Sequence, residues 1–431
     1  MPSFIHTGDL HLGRPFRRLG SLGKEVRKAQ FRCLKNIVDT VKQTRSDFLV
    51  VAGDLFDANS VSDKSVKNVM SYFASIAPVP VYIQPGTHDV FDSASVYRTI
   101  LGSPALPPNV TIIPEEPSEF RPIPDVAVFA SANTTKKGGD RPLRRLSALA
   151  SKSEAKFKVA VVHASIDVPG LSIDPDEPLI SLDEIASSPF DYIAMGHWHK
   201  RQAWPTGDPK AWYCGTPETL EFDDAPSPGC VNLVSLGPKV TTEEKTVGTY
   251  RWVKLGIDVS LVPDMNAIAG RANREAGPNT LLRLELRGSL SSGGRSSPSS
   301  GEEGRLSSGG PGRPGVGEEG SPSSGEGDSP GIARENAANF DWAAGLSIDD
   351  LVNDLRERLE PNFFFIEVDT SRLAFYEPSP GQFPPNSVGR VFHEIMAEKI
   401  EKAQDPAEKA ILQEALRRGS LYLSGKAGIR S

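Results

Sequence analysis

Phe48-Leu49-Val50-Val51-Ala52-Gly53-Asp54-Leu55-Phe56-Asp57 is the most telling run of residues in the chain. Its apolar residues lead into Gly-Asp without polar alternation, which predicts a strand buried on both faces. The strand ends abruptly and pushes Asp54 out at its C-terminal edge, where open α/β sheets bind ligands. A lone strand-end aspartate often only caps the next helix or turn. Asp54 gains its meaning from other strand ends that also finish in ligand-type residues.

Before it in the chain, Ser3 to His11 reads as a short strand and a turn carrying Asp9 and His11, whose side chains, two residues apart, point to one side. Arg14, Arg17, Arg18 and Lys24 follow, placed either to face DNA phosphates or in a solvated loop. Lys24 to Thr44 repeats Val26, Cys33, Leu34, Ile37, Val38 and Val41 at helical spacing and returns to the Phe48 strand. A second helix is expected from about Asp63 to Ala77, then a strand from Val79 to Ile83 that ends in Gln84-Pro85-Gly86-Thr87-His88-Asp89. Strand, helix, strand, helix, strand is the order of a layered α/β sheet. Short apolar runs, Val110 to Ile113 and Val126 to Phe129, follow without strong helices between them. The sheet resumes at Phe157 to His163 and at Phe190 to His199, and completes itself around Trp212 to Glu218 and Cys230 to Leu236.

At 431 residues with a net charge of -7, the chain has room for two or three domains and lacks the balance of a generally basic nucleic-acid coat. Any DNA affinity must come from a local patch. Three cysteines without a CxxC spacing read as buried apolar residues of a reduced compartment. With no signal-like start and no apolar run near the ~20 residues of a membrane span, a cytoplasmic protein without membrane association is expected. Residues 1–245 form the first expected domain. A second, 246–378, has strands at Tyr250 to Val259, Thr280 to Leu286 and Phe363 to Val368, with helices near Asp264 to Glu275 and Leu346 to Leu359. It is interrupted at 288–335 by Gly, Ser, Pro and Glu, a composition too poor in apolar surface to order itself. Residues 385–420 read as two helices broken at Asp405-Pro406, whose apolar stripe either packs on its own domain or docks a partner helix.

Five of the seven histidines, His11, His88, His163, His197 and His199, fall at or just past strand ends, whereas His6 and His393 read as structural or surface residues. With Asp9, Asp54 and Asp57 they supply mixed imidazole and carboxylate donors, suited to manganese, iron or zinc rather than calcium. Two alternating pairs, Asp9-Leu10-His11 and His197-Trp198-His199, with one more carboxylate and one more histidine can hold two metal ions. Two metals ~3.5–4 Å apart that share a carboxylate are what phosphate ester cleavage needs, and Asp54 is the natural bridge.

These motifs, Asp9-x-His11, Gly53-Asp54-x-x-Asp57, Gly86-x-His88-Asp89, His163 and Gly196-His197-x-His199, resemble in order and context those of calcineurin-like metallophosphoesterases. The opening His-Thr-Gly-Asp-Leu-His-Leu-Gly and Gly215-Thr216-Pro217-Glu218 look like the DNA repair nucleases of the SbcD and meiotic-recombination-nuclease group. The resemblance covers roughly residues 1 to 235. It implies a layered β-sandwich flanked by helices, with Asp9, His11, Asp54 and His199 on one metal, and Asp54, His163 and His197 on the other, manganese being the expected ion. Thr87 stands where the family has a ligating Asn, so the second site is expected to be weaker. His88 would be the catalytic histidine, Asp89 its positioning neighbour, and Asp57 a residue that supports a metal ligand or fixes the loop. The family also implies a small α/β capping domain, a hairpin that docks an SMC-like ABC ATPase, and pairing of two nuclease subunits. Function follows as 3'-to-5' exonuclease and single-strand endonuclease activity by metal-activated hydroxide in double-strand break processing. The alternatives are a phosphoesterase for small phosphodiesters or phosphoproteins, and a DNA-end scaffold with weakened catalysis.

Overall fold

The Phe48–Ala52 strand is completely buried on both faces, and two different layers cover it. In this computed structural model, residues 1–290 and 347–423 are described, apart from 105, 138–140, 169, 171, 172, 175, 225–227, 263, 376–380 and 382. One face of the strand, Phe48, Val50 and Ala52, joins Phe4, Val128, Val159, Val161 and Ala194 in a core between two sheets. The other, Leu49 and Val51, packs with Ile37, Val41, Met70 and Phe73 of the covering helices Gly23–Thr44 and Asp63–Ala74.

The first sheet has six strands in the order Thr241–Thr246, Cys230–Ser235, Ser3–Thr7, Phe48–Ala52, Val81–Gln84, Val110–Ile112. The second, also of six, runs Gln202–Trp204, Ala211–Tyr213, Tyr192–Gly196, Phe157–His163, Val126–Ala130, Ser118–Ile123. Central neighbours are parallel in both, pairing Thr7 with Val51, Val51 with Ile83, and Gly196 with His163. Parallel strands are feasible here because helices cross over between them. The outer face of the second sheet is covered by Pro142–Ala150 and Leu182–Ser187, through Leu143, Leu146 and Ile185. Pro142–Ala150 is a helix that the sequence reading does not place. Only nine residues long, it starts on a proline that suits a first turn and buries Leu143, Leu146 and Ala150. The result is a helix, sheet, sheet, helix sandwich, the layered β-sandwich flanked by helices that the sequence resemblance implies.

His6 belongs to the inter-sheet core. It is fully buried, its Nδ1 lies 2.9 Å from the Tyr192 hydroxyl, and burial pushes its pKa down to about 3. Of the two sequence readings, surface or structural, the structure leaves the structural one.

Two compact units divide the chain. The first holds Met1–Leu255 with Glu275–Arg283 and Asn362–Glu367, because Leu281, Phe364 and Phe365 share a cluster with Phe16, Leu220, Phe222, Tyr250 and Trp252. The second unit contains helices Met265–Asn273 and Ile348–Leu359, which pack together, and the pair Val388–Lys402 and Pro406–Leu423. Pro406 opens the last helix, as the sequence break suggests, and Val388, Val391, Ile395 and Ile411 are exposed. The expected low-complexity insert, 288–335, begins inside the strand Gly277–Leu290, and its remainder lies outside the described residues.

Candidate metal centre

Parallel strands from both sheets end at one edge, and their last residues converge. Asp9 follows Ser3–Thr7, Asp54 follows Phe48–Ala52, Thr87 and His88 follow Val81–Gln84, His163 ends Phe157–His163, and His197 follows Tyr192–Gly196. The turn of the chain at each strand end is tight. Asp9, His11, Asp54 and His197 have φ of 51°, 46°, 49° and 104°, in or near the left-handed region that residues other than Gly, Asn and Asp mostly avoid. Such conformations persist where surrounding structure over-determines them, commonly at functional sites. Backbone approach is equally close: a Cβ on Gly53 would fall 2.1 Å from His163 Nδ1, and one on Gly86 would fall 2.2 Å from Asp54 Oδ1. The glycines of Gly53-Asp54 and Gly86-Thr87-His88 are there because nothing larger fits.

Asp54 lies at the middle. Its Oδ2 is 3.6 Å from His11 Nε2 on one side and 3.3 Å from His163 Nε2 on the other, while Oδ1 accepts the His88 N–H at 2.8 Å. Donor atoms of Asp9, His11 and His199 fall within 4.8 Å of one another, as do those of Asp9, Asp54 and His163. Asp9 therefore touches both groups, and both its oxygens also accept the His197 N–H. The Thr87 hydroxyl is 3.3 Å from His163 Nε2 and 3.5 Å from Asp54 Oδ2. His197 sits further out, its ring centroid 5.1 Å from that of His163 and its Nε2 on Glu177.

Each histidine is held from the nitrogen facing away from this centre. His163 Nδ1–H donates to the Ala52 carbonyl at 2.9 Å, and His11 Nδ1 lies 3.2 Å from Asp57 Oδ1. His199 Nδ1 is 3.4 Å from Asp224. Such partners fix the tautomer and leave the other nitrogen as a ligand. His88 is exposed beside His11, with its Nδ1–H on the Asp57 carbonyl at 3.1 Å. Asp57 thus fixes His11 with its side chain and His88 with its backbone.

Asp89 is placed differently from its expected role as the neighbour that positions His88. Its buried carboxylate accepts the Phe56 and Gly86 N–H groups, at 2.9 and 2.8 Å, and the Tyr97 hydroxyl at 2.6 Å. It clamps the Asp54 and Thr87 loops together. The donors of Phe56, Gly86 and Tyr97 take up both oxygens of this sequence neighbour of His88.

The charges of this cluster are out of their ordinary states. Burial pushes Asp9 up to about 7, even with His163 and His199 opposing it, and burial with the Asp54 charge pushes Asp89 up to about 6. Burial works against the His163 cation too, but the Asp54 and Asp9 carboxylates outweigh it and hold its pKa near 9. Asp54 is correspondingly held well below the usual carboxylate range, burial being overcome by His163 and His11. Burial depresses His11, and burial followed by His163 lowers His197 to about 4. Burial thus favours the neutral forms of Asp9, Asp89, His11 and His197, while Asp54 and His163 sustain each other's charge. The donor set fits divalent cations on two counts: buried His11 Nε2 has no hydrogen-bond partner among the described residues, and imidazole with carboxylate suits manganese, iron or zinc.

Beyond the centre, a groove of about 470 Å³ is lined by Asp57, His88, Arg14, Arg17, Arg18, Arg283 and the Phe222 and Trp252 rings. Arg18 pairs with Glu367, and Arg14 lies 3.7 Å from Glu221. Sequence reasoning missed Glu177 and Asp224, the carboxylates on His197 and His199. Neither stands at a strand end or in a recognisable spacing, so no local signal marks them.

The family model described as calcineurin-like phosphoesterase matches residues 2–201. The uncharacterized metallophosphoesterase YhaO of Bacillus subtilis is 26% identical over 66% of this chain and 72% of its own length. The DNA double-strand break repair protein Mre11 of Aeropyrum pernix is 34% identical over 21% of each chain. The SbcD subunit of the nuclease SbcCD of Staphylococcus saprophyticus is 25% identical over 45% of this chain and 56% of its own length. This chain thus spans about a fifth and about half of the last two relatives. Among the described residues no helix is long and apolar enough to cross a membrane.

Proposed function

We propose that the chain is a hydrolase that cleaves phosphodiester bonds in DNA, a reading supported by the match of residues 2–201 to the calcineurin-like phosphoesterase model. The observation that carries this reading is Asp54 Oδ2 between His11 Nε2 at 3.6 Å and His163 Nε2 at 3.3 Å, a carboxylate set to serve two ions. Asp9, His11, Asp54 and His199 would hold one, and Asp54, His163, His197 and Thr87 the other. Two bound divalent cations lower the pKa of a water and neutralise charge on the attacking and leaving oxygens.

The protein's own groups supply the rest. With Nδ1–H tied to the Asp57 carbonyl, His88 presents Nε2; protonated, that nitrogen can donate to a phosphate oxygen or pass its proton to the leaving oxygen. Arg14, Arg17 and Arg18 line a groove that also reaches His88, an arrangement that favours an extended polyanion over a small ester. The DNA repair and nuclease names of two relatives support the same substrate. In this reading the chain acts in double-strand break processing as a 3'-to-5' exonuclease and single-strand endonuclease. It pairs with a second copy and docks an SMC-like ATPase through the exposed face of Val388–Lys402 and Pro406–Leu423.

Thr87 favours a second reading, a DNA-end scaffold, because a hydroxyl is a poorer ligand than an amide oxygen. Manganese-dependent degradation of end-labelled DNA separates the two. The wild-type chain is expected to degrade it and His88→Ala to lose ~100-fold or more in rate while still binding manganese. Equal rates in both would overturn the nuclease reading. DNA retained without cleavage would favour the scaffold, and hydrolysis of bis(p-nitrophenyl) phosphate alone would favour small esters.

A further inference from the structure

Glu177 lies outside every motif, yet its carboxylate ends a directed chain of hydrogen bonds into the centre. The Trp198 indole N–H donates to Ser165 Oγ at 3.0 Å, and the Ser165 hydroxyl donates to Glu177 Oε2 at 2.5 Å. The same oxygen lies 3.2 Å from His197 Nε2. The indole and the imidazole, consecutive in His197-Trp198-His199, are thereby fixed through one acceptor. The His197 backbone is held separately: its N–H donates to Asp9, and its φ is 104°.

A carboxylate accepts only, so Nε2 must carry the proton and the His197 lone pair is on Nδ1. For His199 the choice is reversed, because Asp224 faces its Nδ1 and leaves Nε2. The two histidines of one short turn therefore present opposite nitrogens, each decided by a different carboxylate. We propose that Glu177 is the positioning residue of the ion site on the His163 side, fixing the ring and tautomer of His197 and offsetting the weak donor Thr87. Asp224 does the same for His199 on the His11 side.

This inference rests on the two-ion reading, and one titration tests both. Metal-depleted protein is titrated with manganese by calorimetry, with ion content read by atomic emission. Glu177→Gln keeps the hydrogen-bonding shape and removes the charge. It is expected to weaken the weaker ion by ~10-fold or more, to leave the tighter ion unchanged, and to leave the metal-free melting temperature at the wild-type value. Asp224→Asn is expected to act on the other ion. Affinities unchanged in Glu177→Gln, equal weakening of both ions, or a lowered metal-free melting temperature would each overturn the role of Glu177. Wild-type protein that takes up no manganese would instead overturn the two-ion reading itself.

Discussion

Thr87 is the residue on which the second ion turns. Its hydroxyl is within 3.5 Å of both Asp54 and His163, so the position is right and only the donor is weak. Thr87→Asn is expected to raise the affinity of the weaker manganese ion by about tenfold, or ~1.4 kcal/mol, in the same calorimetric titration. No gain would mean that Glu177 and His197 already complete the site. For single residues the sequence was informative where chemistry and sterics coincide. Gly53 and Gly86 could be read as motif glycines, but only the fold puts His163 and Asp54 in the space of their missing side chains.

Among the strands and helices, buried strands were legible because apolar runs without alternation have few other uses, and helices because their apolar faces recur. Ends and short pieces were less so: the Asp63 helix stops at Ala74, and Pro142–Ala150 was not anticipated. Glu218 ties two elements together in a way that a motif could not explain. Its buried carboxylate accepts the Thr249 and Tyr250 N–H groups, both at 2.8 Å, and joins the turn after Tyr213 to the start of the strand Arg251–Asp258. Burial outweighs those donors and raises its pKa from 4.5 to about 7. The folded state therefore holds a proton that the unfolded chain has released across this window, and stability falls as pH rises from about 4.5 to 7. Asp9 and Asp89, also raised by burial, add to the same slope. Urea unfolding at intervals from pH 5 to 8 is expected to show the slope in wild type and, in Glu218→Gln, a slope smaller by the Glu218 share of up to ~3 kcal/mol.

For the molecule in its entirety, a net charge of -7 means that attraction to a polyanion must be local. Arg14 and Arg18 have carboxylate neighbours, whereas Arg17 has no ion pair among the described residues and lines the groove beside His88. If Arg17 contacts a DNA phosphate, Arg17→Ala should weaken binding to all sequences alike and reduce the slope of log affinity against log salt by about 1. Fluorescence anisotropy at several salt concentrations measures this. An unchanged slope would assign Arg17 to a solvated loop, the other reading of its sequence.

The kind of chemistry was already written in the order of the residues. Asp9, His11, Asp54, His163, His197 and His199 stand at or just past strand ends, and that information is local. The folded chain was needed to settle which nitrogen each histidine offers, that Asp89 clamps loops instead of touching His88, and that Glu177 and Asp224 complete the surroundings of the centre. Those outcomes depend on residues brought together from both sheets and from the loops between strands. Their sequence separation exceeds the reach of any local pattern, and their orientation is fixed by packing.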